Sequence, residues 1–580
     1  MESTKFVRTV KQLEEMVEDL KNEPRLACDI ETTSLEIEVM ELDGIGIGTN
    51  TKVYYIPFPD FGLDVEQVVP FLNTLFETIP IIMHNAKFDM QGLRKFGFVT
   101  PTVIHDTMIM SWLVDEDTGH GLKNLTKILL EREVVEYKNL NLKEDLFTTK
   151  DDIMEVLGKY CGSDIANTYD LYDFFYPLLE SDGLLKAYSL VEMPFVRVLA
   201  DMEYRGVRLD TDGMTNLKER MEAVLENTQA LIQLTLQDKT VNVASPTQLE
   251  KYLFDVLGYK SVRTTPAGKR STDNGALEDI VKENKLDDSS FVALLLKFRE
   301  YDKLYRTYMI GLLQKAGSSG IVHTNFLQHG TRTGRLSSSE PNLQNIPARH
   351  DDWEIRKYFV PREGYAFIVS DYSQVELRVL AHFSRDENMV QTFMDDGDIH
   401  AKTMELTGTE RRAAKAINFG LIYGMGARSL AAALNIHENE AQDYMNRFFS
   451  GYPKVKAWIN VVQKYALSQG FVTMITGRKR RFRNMFDQRW YSSVKRQSVN
   501  TKIQGSAADI LKLAMLKMHK ELPKYDAHIL LQIHDEVVVE VPIDRMEEVK
   551  VVVRDLMESA VQLRVPLKVG MDTGDHWVKG

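Results

Sequence analysis

Two apolar runs that end in carboxylates constrain this chain more tightly than any other feature. Phe367, Ile368 and Val369 read as a strand entering a buried sheet, and the run ends at Asp371, the first residue of DYSQVELR. Some 160 residues later, HILLQI and VVVEV alternate on either side of the turn in QIHDE, which places Asp535 and Glu536 in a hairpin. Two acidic strand ends are what a two-metal phosphoryl-transfer site requires. Magnesium takes oxygen ligands, and two ions ~4 Å apart clamp the attacking and leaving oxygens.

A chain of 580 residues divides into several domains rather than one core. Its composition, 44% hydrophobic and 27% charged, is globular, with no low-complexity tract and no internal repeat. No apolar stretch is long enough to span a membrane, and MESTKFVRTVKQ lacks a signal-peptide core; a cytoplasmic protein without membrane association is expected. The two cysteines, Cys28 and Cys161, fit a reducing compartment and are expected as small buried fillers. A net charge of −13 weighs against a nucleic-acid binder, but the distribution offsets it. Arg411, Arg412 and Lys415, the run RKRRFR from Arg478 to Arg483, and Lys495 with Arg496 form basic clusters interleaved with aromatics and glycines. We expect them to meet phosphates rather than to be merely solvated.

Residues 1–185 alternate short strands (LACDIET, IGIGTN, KVYYIPF) with helices such as VEQVVPFLNTLFETI, an α/β layer of its own. From 190 to 320 helical periodicity dominates, broken by VRTTPAGKRSTDNG. Strands return over 321–400 and helices over 400–500; a hairpin and an amphipathic helix fill 525–570.

In the first third, Asp29 and Glu31 lie two apart on an expected strand and so share a face. His84, Asn85, Phe88 and Asp89 follow in HNAKFD, then Tyr160 and Asp164 in YCGSD. Four acids from three segments can converge on two hard cations, and a tyrosine hydroxyl can orient an attacking water. Each acid alone is ordinarily a surface group; the ordered set is specific. It resembles the DEDD family of 3′-to-5′ exonucleases, the proofreading type with a tyrosine in the last motif. Asp106, in HDTM, matches a further family feature and reads as structural.

The segment RRAAKAINFGLIYG, residues 411–424, sets Arg411, Lys415, Phe419 and Tyr423 at fourfold spacing along one helical face. Arg411 to Phe419 spans ~12 Å, the reach of a triphosphate plus sugar, so cations could hold phosphates while aromatics meet sugar and base. A basic amphipathic helix with no ligand fits the spacing equally well. Taken together, DYSQVELR, RRAAKAINFGLIYG and QIHDE look like the three polymerase motifs of family A DNA polymerases, the bacterial repair-polymerase type. SPTQLEKYLF, TTPAGKRSTD, TRTGRLSSSEPNLQNIP, GRKRRF and RQSVNTKIQGSAADI extend the likeness over nearly the whole chain.

That resemblance implies a multidomain α/β and α+β fold: an RNase H-like exonuclease domain at 1–185 and a right-hand polymerase domain at 186–580. The palm would take 186–220, 321–400 and 501–580, the thumb 221–320 and the fingers 401–500. The implied activity is template-directed addition of dNTPs to a primer 3′-OH with 3′-to-5′ proofreading, in DNA replication or repair. Implied partners are primer–template DNA and dNTPs, with the protein a monomer of the bacterial nucleoid, a phage-infected cell or an organelle. Two Mg2+ ions at each active site, replaceable by Mn2+, are the implied cofactors.

Residue by residue, the resemblance makes Asp371 and Asp535 ligands of both polymerase ions, with the backbone of Tyr372 as a further ligand and Glu536 adjacent. Asp29, Glu31, Asp89 and Asp164 would hold the exonuclease ions beside Tyr160. Arg411 and Lys415 would grip the β- and γ-phosphates, Lys415 also giving a proton to pyrophosphate, and His400 and Arg349 would reach the triphosphate alongside Gln374. Phe419 would stack on the sugar and discriminate against dideoxynucleotides, Glu376 would exclude a ribose 2′-OH, and Tyr423 would pack near the template base. Arg335, Asn345, Arg496, Asn500, Gln504 and His534 would line the primer–template minor groove, with Asn342 and Gln344 among the DNA contacts. The chain departs from the family in the short link between His400 and Arg411 and in Arg428, which stands where relatives often carry a phenylalanine linked to strand displacement. The alternative is an exonuclease whose C-terminal region only grips DNA; the intact Asp371, Lys415 and Asp535 weigh against it.

Overall fold

The computed structural model describes residues 4–59, 61–140, 149–261, 263–265, 267–347, 353–483 and 487–578. Its first six strands build one sheet, ordered Lys5–Phe6, Val53–Pro57, Leu42–Gly48, Leu26–Thr32, Ile81–Met83, Ile104–Asp106. Leu26–Thr32 lies inside it, antiparallel to Leu42–Gly48 and parallel to Ile81–Met83. A central strand is covered on both faces, which is why LACDIET is apolar at nearly every position except its acids. The helix Lys150–Ser181 packs along Leu26–Thr32, Leu42–Gly48 and Val53–Pro57. Its approach is close: a Cβ on Gly46 would sit 2.4 Å from Cys161 Sγ. Cys28 and Cys161 are both buried, as fillers would be.

The carboxylate-ended runs form a second sheet, ordered His528–Ile533, Glu536–Pro542, Tyr365–Tyr372, Val569–Gly574 and antiparallel throughout. Its register sets Asp371 opposite Glu536, so the turn carrying Asp535 and the end of the Asp371 strand lie at one edge. Met546–Glu558 packs on Tyr365–Tyr372, Glu536–Pro542 and Val569–Gly574, and Met193–Arg205 and the long Gln488–Glu521 pack on His528–Ile533. Val375–Ser384 lies against Gln488–Glu521, Arg411–Ile422 against Ile399–Thr407, and Thr211–Leu236 pairs with Phe291–Lys303. Among the described residues no helix is long and apolar enough to cross a membrane.

Three expectations change. The strand-rich stretch ends at Tyr372, and Val375–Ser384, Glu387–Met394 and Ile399–Thr407 are helices. Val375, Leu377 and Val379 alternate as in a strand and the helix is buried on nearly every side, so no amphipathic helical period marks the change. The last strand, Val569–Gly574, was not expected, because its alternation is interrupted by glycines.

The third change concerns RKRRFR. Lys479–Arg481 is a short strand, and its guanidiniums meet acids rather than open solvent. Arg480, 4% exposed, pairs with Glu116 (2.8 Å) and Asp117 (3.2 Å). Arg481 pairs with Asp182 and donates to Leu113 O (3.0 Å), while Arg483 pairs with Asp115. Arg478 is 2% exposed and binds Asp509 (3.0 Å) within a buried network that also holds Glu192 and Lys512, themselves 2.8 Å apart. The run fastens the C-terminal part of the molecule to the N-terminal sheet domain. Acids of the N-terminal third, Asp115, Glu116, Asp117 and Asp182, together with Asp509, take up charge that was expected to face phosphates.

Candidate active sites

One cleft of about 460 Å³ gathers most of the residues expected to act on a nucleotide. Asp371 and Asp535 line it from the sheet edge, with Tyr372, Gln374 and Glu376 beside them; His400, Arg411, Lys415, Phe419 and Tyr423 line it from the helices, and Arg335 from a loop. The sheet end supplies the acids because Tyr372 N reaches Asp535 O (3.5 Å), tying the strand to the hairpin turn. Tyr372 is held from behind, its hydroxyl donating to Met557 O (2.6 Å). Gln374 adopts a left-handed conformation, φ 54°, and from it the helix Val375–Ser384 starts with Glu376 in its first turn.

Glu376 is the hub of this cleft. It is buried, and its oxygens accept from Arg335 Nη2 (2.7 Å) and Tyr423 OH (2.7 Å). Burial pushes its carboxyl upward, with Tyr423 and Arg335 pulling the other way. Arg335 Nη2 also lies 3.4 Å from Asp535 Oδ1, so Tyr423, Glu376, Arg335 and Asp535 form one chain of contacts.

His400 is also oriented. Thr403 Oγ1 donates to Asn418 Oδ1 (2.9 Å), which sets that amide so that its nitrogen donates to His400 Nδ1 (2.8 Å). Burial lowers the imidazole's pKa, so the neutral ring carries its proton on Nε2 and can offer it as a donor. Arg411 pairs with Asp398, which caps the helix carrying His400. Phe419 stacks near Tyr423, with ring centroids 6.2 Å apart.

Glu536 does not line this cleft. Its Oε1 accepts from Trp577 Nε1 (2.8 Å) and Arg356 Nη1 (3.4 Å), and Arg356 lies over the Trp577 ring. Arg349 lies outside the described residues. Arg496, Asn500 and Gln504 repeat every four residues on Gln488–Glu521. Gly424, at φ 70°, abuts that helix so closely that a Cβ would lie 3.1 Å from Arg496 Cα. Asn500 Oδ1 is buried without a partner. Asn342 caps the turn Leu343–Asn345, Asn345 O accepts from Tyr308 (2.7 Å), and Gln344 Nε2 donates to Gln532 Oε1 (3.0 Å). His534 occupies the hairpin turn at φ 55°.

The second acidic set also converges. Asp29, Glu31 and Cys161 each offer an atom within 4.8 Å of the others, and Cys161 Sγ lies 3.8 Å from Asp29 Oδ2. Asp89 Oδ1 accepts from Ile30 N (3.4 Å), while Asp89 Oδ2 and Glu31 Oε1 are buried with no partner. Burial, reinforced by Asp164, pushes Asp29 to about 7; burial, Asp29 and Asp164 push Glu31 to about 10. Asp89 is raised by burial and by Asp29. Burial raises Asp164 too, against the pull of Lys123. Tyr160 is raised mainly by burial and then by Asp164, which keeps its hydroxyl protonated. Mutually repelling buried carboxylates with orphaned oxygens are a donor set that fits hard divalent cations. Asp106 instead accepts from the backbone of Asn85, Ala86 and Met108, a structural role.

Sequence reasoning missed Lys123, Asp398 and Asn418. Asp398 had a visible signal as an N-cap residue ahead of a helical run. A lysine in HGLKNL carries no such spacing.

Residues 211–579 match the family model for DNA polymerase family A, and residues 4–180 match that for a 3′-5′ exonuclease. DNA polymerase I of Borreliella burgdorferi is 34% identical over 591 residues, covering 98% of this chain and 64% of that protein. DNA polymerase I of Synechocystis sp. is 35% identical over 620 residues, covering 99% and 62%. A thermostable DNA polymerase I of Thermus filiformis is 42% identical over 423 residues, covering 70% and 50%. The chain thus spans less than two thirds of the length of these relatives. The solved POL domain of Pol1 from M. smegmatis, complexed with DNA primer-template and dNTP, superposes at TM-score 0.85 and 29% identity, with 98% of each chain covered.

Proposed function

Because the chain belongs to DNA polymerase family A, we propose that it extends a DNA primer with dNTPs and removes misplaced nucleotides in the 3′-to-5′ direction, in replication or repair. The single observation that carries this is the cleft: Asp371 and Asp535 face Arg411 and Lys415 across a space lined by Phe419 and Tyr423. We assign 1–185 to the exonuclease and 186–580 to the polymerase, with the palm, thumb and fingers as set out from the sequence. The protein is proposed to act as a cytoplasmic monomer on primer–template DNA.

Asp371 and Asp535, with the Tyr372 carbonyl, would hold two magnesium ions; Asp29, Glu31, Asp89 and Asp164 would hold two more. Such ions supply neutralisation of the reacting oxygens and a more acidic 3′-OH or water. The chain's own residues do the rest. Arg411 and Lys415 bind the β- and γ-phosphates, and His400 Nε2–H adds a donor. Lys415 protonates the departing pyrophosphate as the primer oxygen attacks in line. Glu376, fixed by Arg335 and Tyr423, walls off the sugar's 2′ face. Arg496, Asn500 and Gln504 track the minor groove, whose acceptors barely vary with sequence. In the other centre the Tyr160 hydroxyl orients the attacking water.

The test is primer extension and primer shortening in magnesium, with and without dNTPs. Asp535→Ala is expected to abolish extension and keep shortening, and Asp29→Ala to do the reverse. Extension by Asp535→Ala at the parent rate would overturn the assignment of the cleft.

A further inference from the structure

Lys123 lies in the first turn of the helix Leu122–Leu129 and points its ammonium into the second acidic centre. The side chain is 17% exposed, pairs with Asp164 Oδ1, and sets its nitrogen 3.9 Å from the centroid of the Tyr160 ring. An ion pair and a cation–π contact therefore hold one ammonium among the groups expected to bind cations and water. The pair is not a simple structural bridge. It engages one of four acids, while Glu31 Oε1 and Asp89 Oδ2 are left buried without a partner. One positive charge cannot compensate so many carboxylates, whereas divalent ions can. A lysine on a flexible four-carbon stem is also able to withdraw, which a second rigid fork would not be.

We propose that Lys123 is the resident counter-ion of the exonuclease centre, competing with divalent cations for Asp164 and displaced when they bind. Metal loading there is then an exchange of ammonium for metal. Proofreading would demand more free metal than the same carboxylates would without the lysine. The displaced ammonium remains tethered beside Tyr160, where it can meet the phosphate of a bound strand. The proposal rests on reading this centre as a metal site.

The experiment measures Mn2+ binding by electron paramagnetic resonance of the free ion, and thermal unfolding with and without Mn2+. It uses the full chain carrying Asp371→Ala and Asp535→Ala, which removes the acids of the other cleft. In that background Lys123→Met is expected to lower the half-saturating Mn2+ concentration about tenfold or more. It should also unfold at lower temperature in chelator and gain more from Mn2+ than its parent. Lys123→Gln repeats the loss of charge with a polar side chain, so a packing defect in one variant does not decide the matter. Lys127→Met removes an equal charge one turn along the same helix and is expected to change affinity less than about twofold, because exposed charges are screened. Equal or weaker Mn2+ binding by both Lys123 variants overturns the proposal, as does an equal gain in Lys127→Met. If Asp29→Ala binds Mn2+ as tightly as the parent background, the metal-site reading itself fails.

Discussion

Replacing Arg480 by methionine separates two roles for the basic run, a fastening between domains and a grip on phosphate. The guanidinium and its partner Glu116 are each 4% exposed and 2.8 Å apart. Removing one member of so buried a pair costs ~3–5 kcal/mol when the other is left uncompensated. Glu116 is not left alone, since Arg481 N donates to it and Arg481 Nη1 stands 3.6 Å away. Asp117 keeps Arg332 at 2.6 Å. We therefore expect a loss of ~2–3 kcal/mol, with Glu116→Gln recovering part of it in the double variant. Urea unfolding should be followed by fluorescence at Trp112, whose ring lies under Lys512 and Arg478 at this junction. Primer–template affinity should be measured across salt in parallel. A lost phosphate contact lowers the slope of log affinity against log salt by ~1, and here the slope should not change. A stability change under ~0.5 kcal/mol together with a shallower salt slope would refute the fastening role.

Three further outcomes are expected. Glu376→Ala removes the wall and frees Tyr423 and Arg335, so discrimination between dNTPs and ribonucleotides should fall at least ~10-fold in single-nucleotide incorporation; an unchanged ratio would count against the gate. Glu536→Gln should lower stability by ~1–3 kcal/mol, because Arg356 loses its counter-charge, yet keep primer extension within ~10-fold of the parent; loss as deep as that of Asp535→Ala would place Glu536 in the chemistry. His84 and His329 are lowered by burial to about 3 and about 4, below the ~6.5 of an unfolded chain. Between those values the unfolded state binds more protons, so both histidines make stability rise with pH from ~4 to ~7 and add nothing above. Asp29, raised to about 7, works in the opposite sense, so the measurement is the difference in slope. Urea midpoints of His329→Asn should fall less on acidification than those of the parent.

The acids were legible because they sit where periodicity is strongest. Asp371 lies at the end of a long buried strand and Asp535 in the turn between two others, Asp29 and Glu31 share a face of a central one, and register then fixes where Asp371 and Asp535 meet. The fourfold spacing of Arg411, Lys415 and Phe419 was legible for the same reason, since a helix of 12 residues carries it. Partners of these groups were not legible. Nothing local says that Asp398 takes Arg411, or that Lys123 reaches Asp164, because each pairing depends on where two elements pack. The basic run shows how far such a gap can mislead. Three consecutive acids, Asp115, Glu116 and Asp117, stand in the first third of the chain and meet Arg483, Arg480, Arg481 and Arg332. A cluster of one sign attracts whichever opposite cluster the fold delivers, and a buried carboxylate already held in place costs less to order than a mobile phosphate backbone. An acidic triplet and a basic run within one chain are therefore each other's first candidate partners, and a ligand should be assigned to either only after that pairing has been excluded.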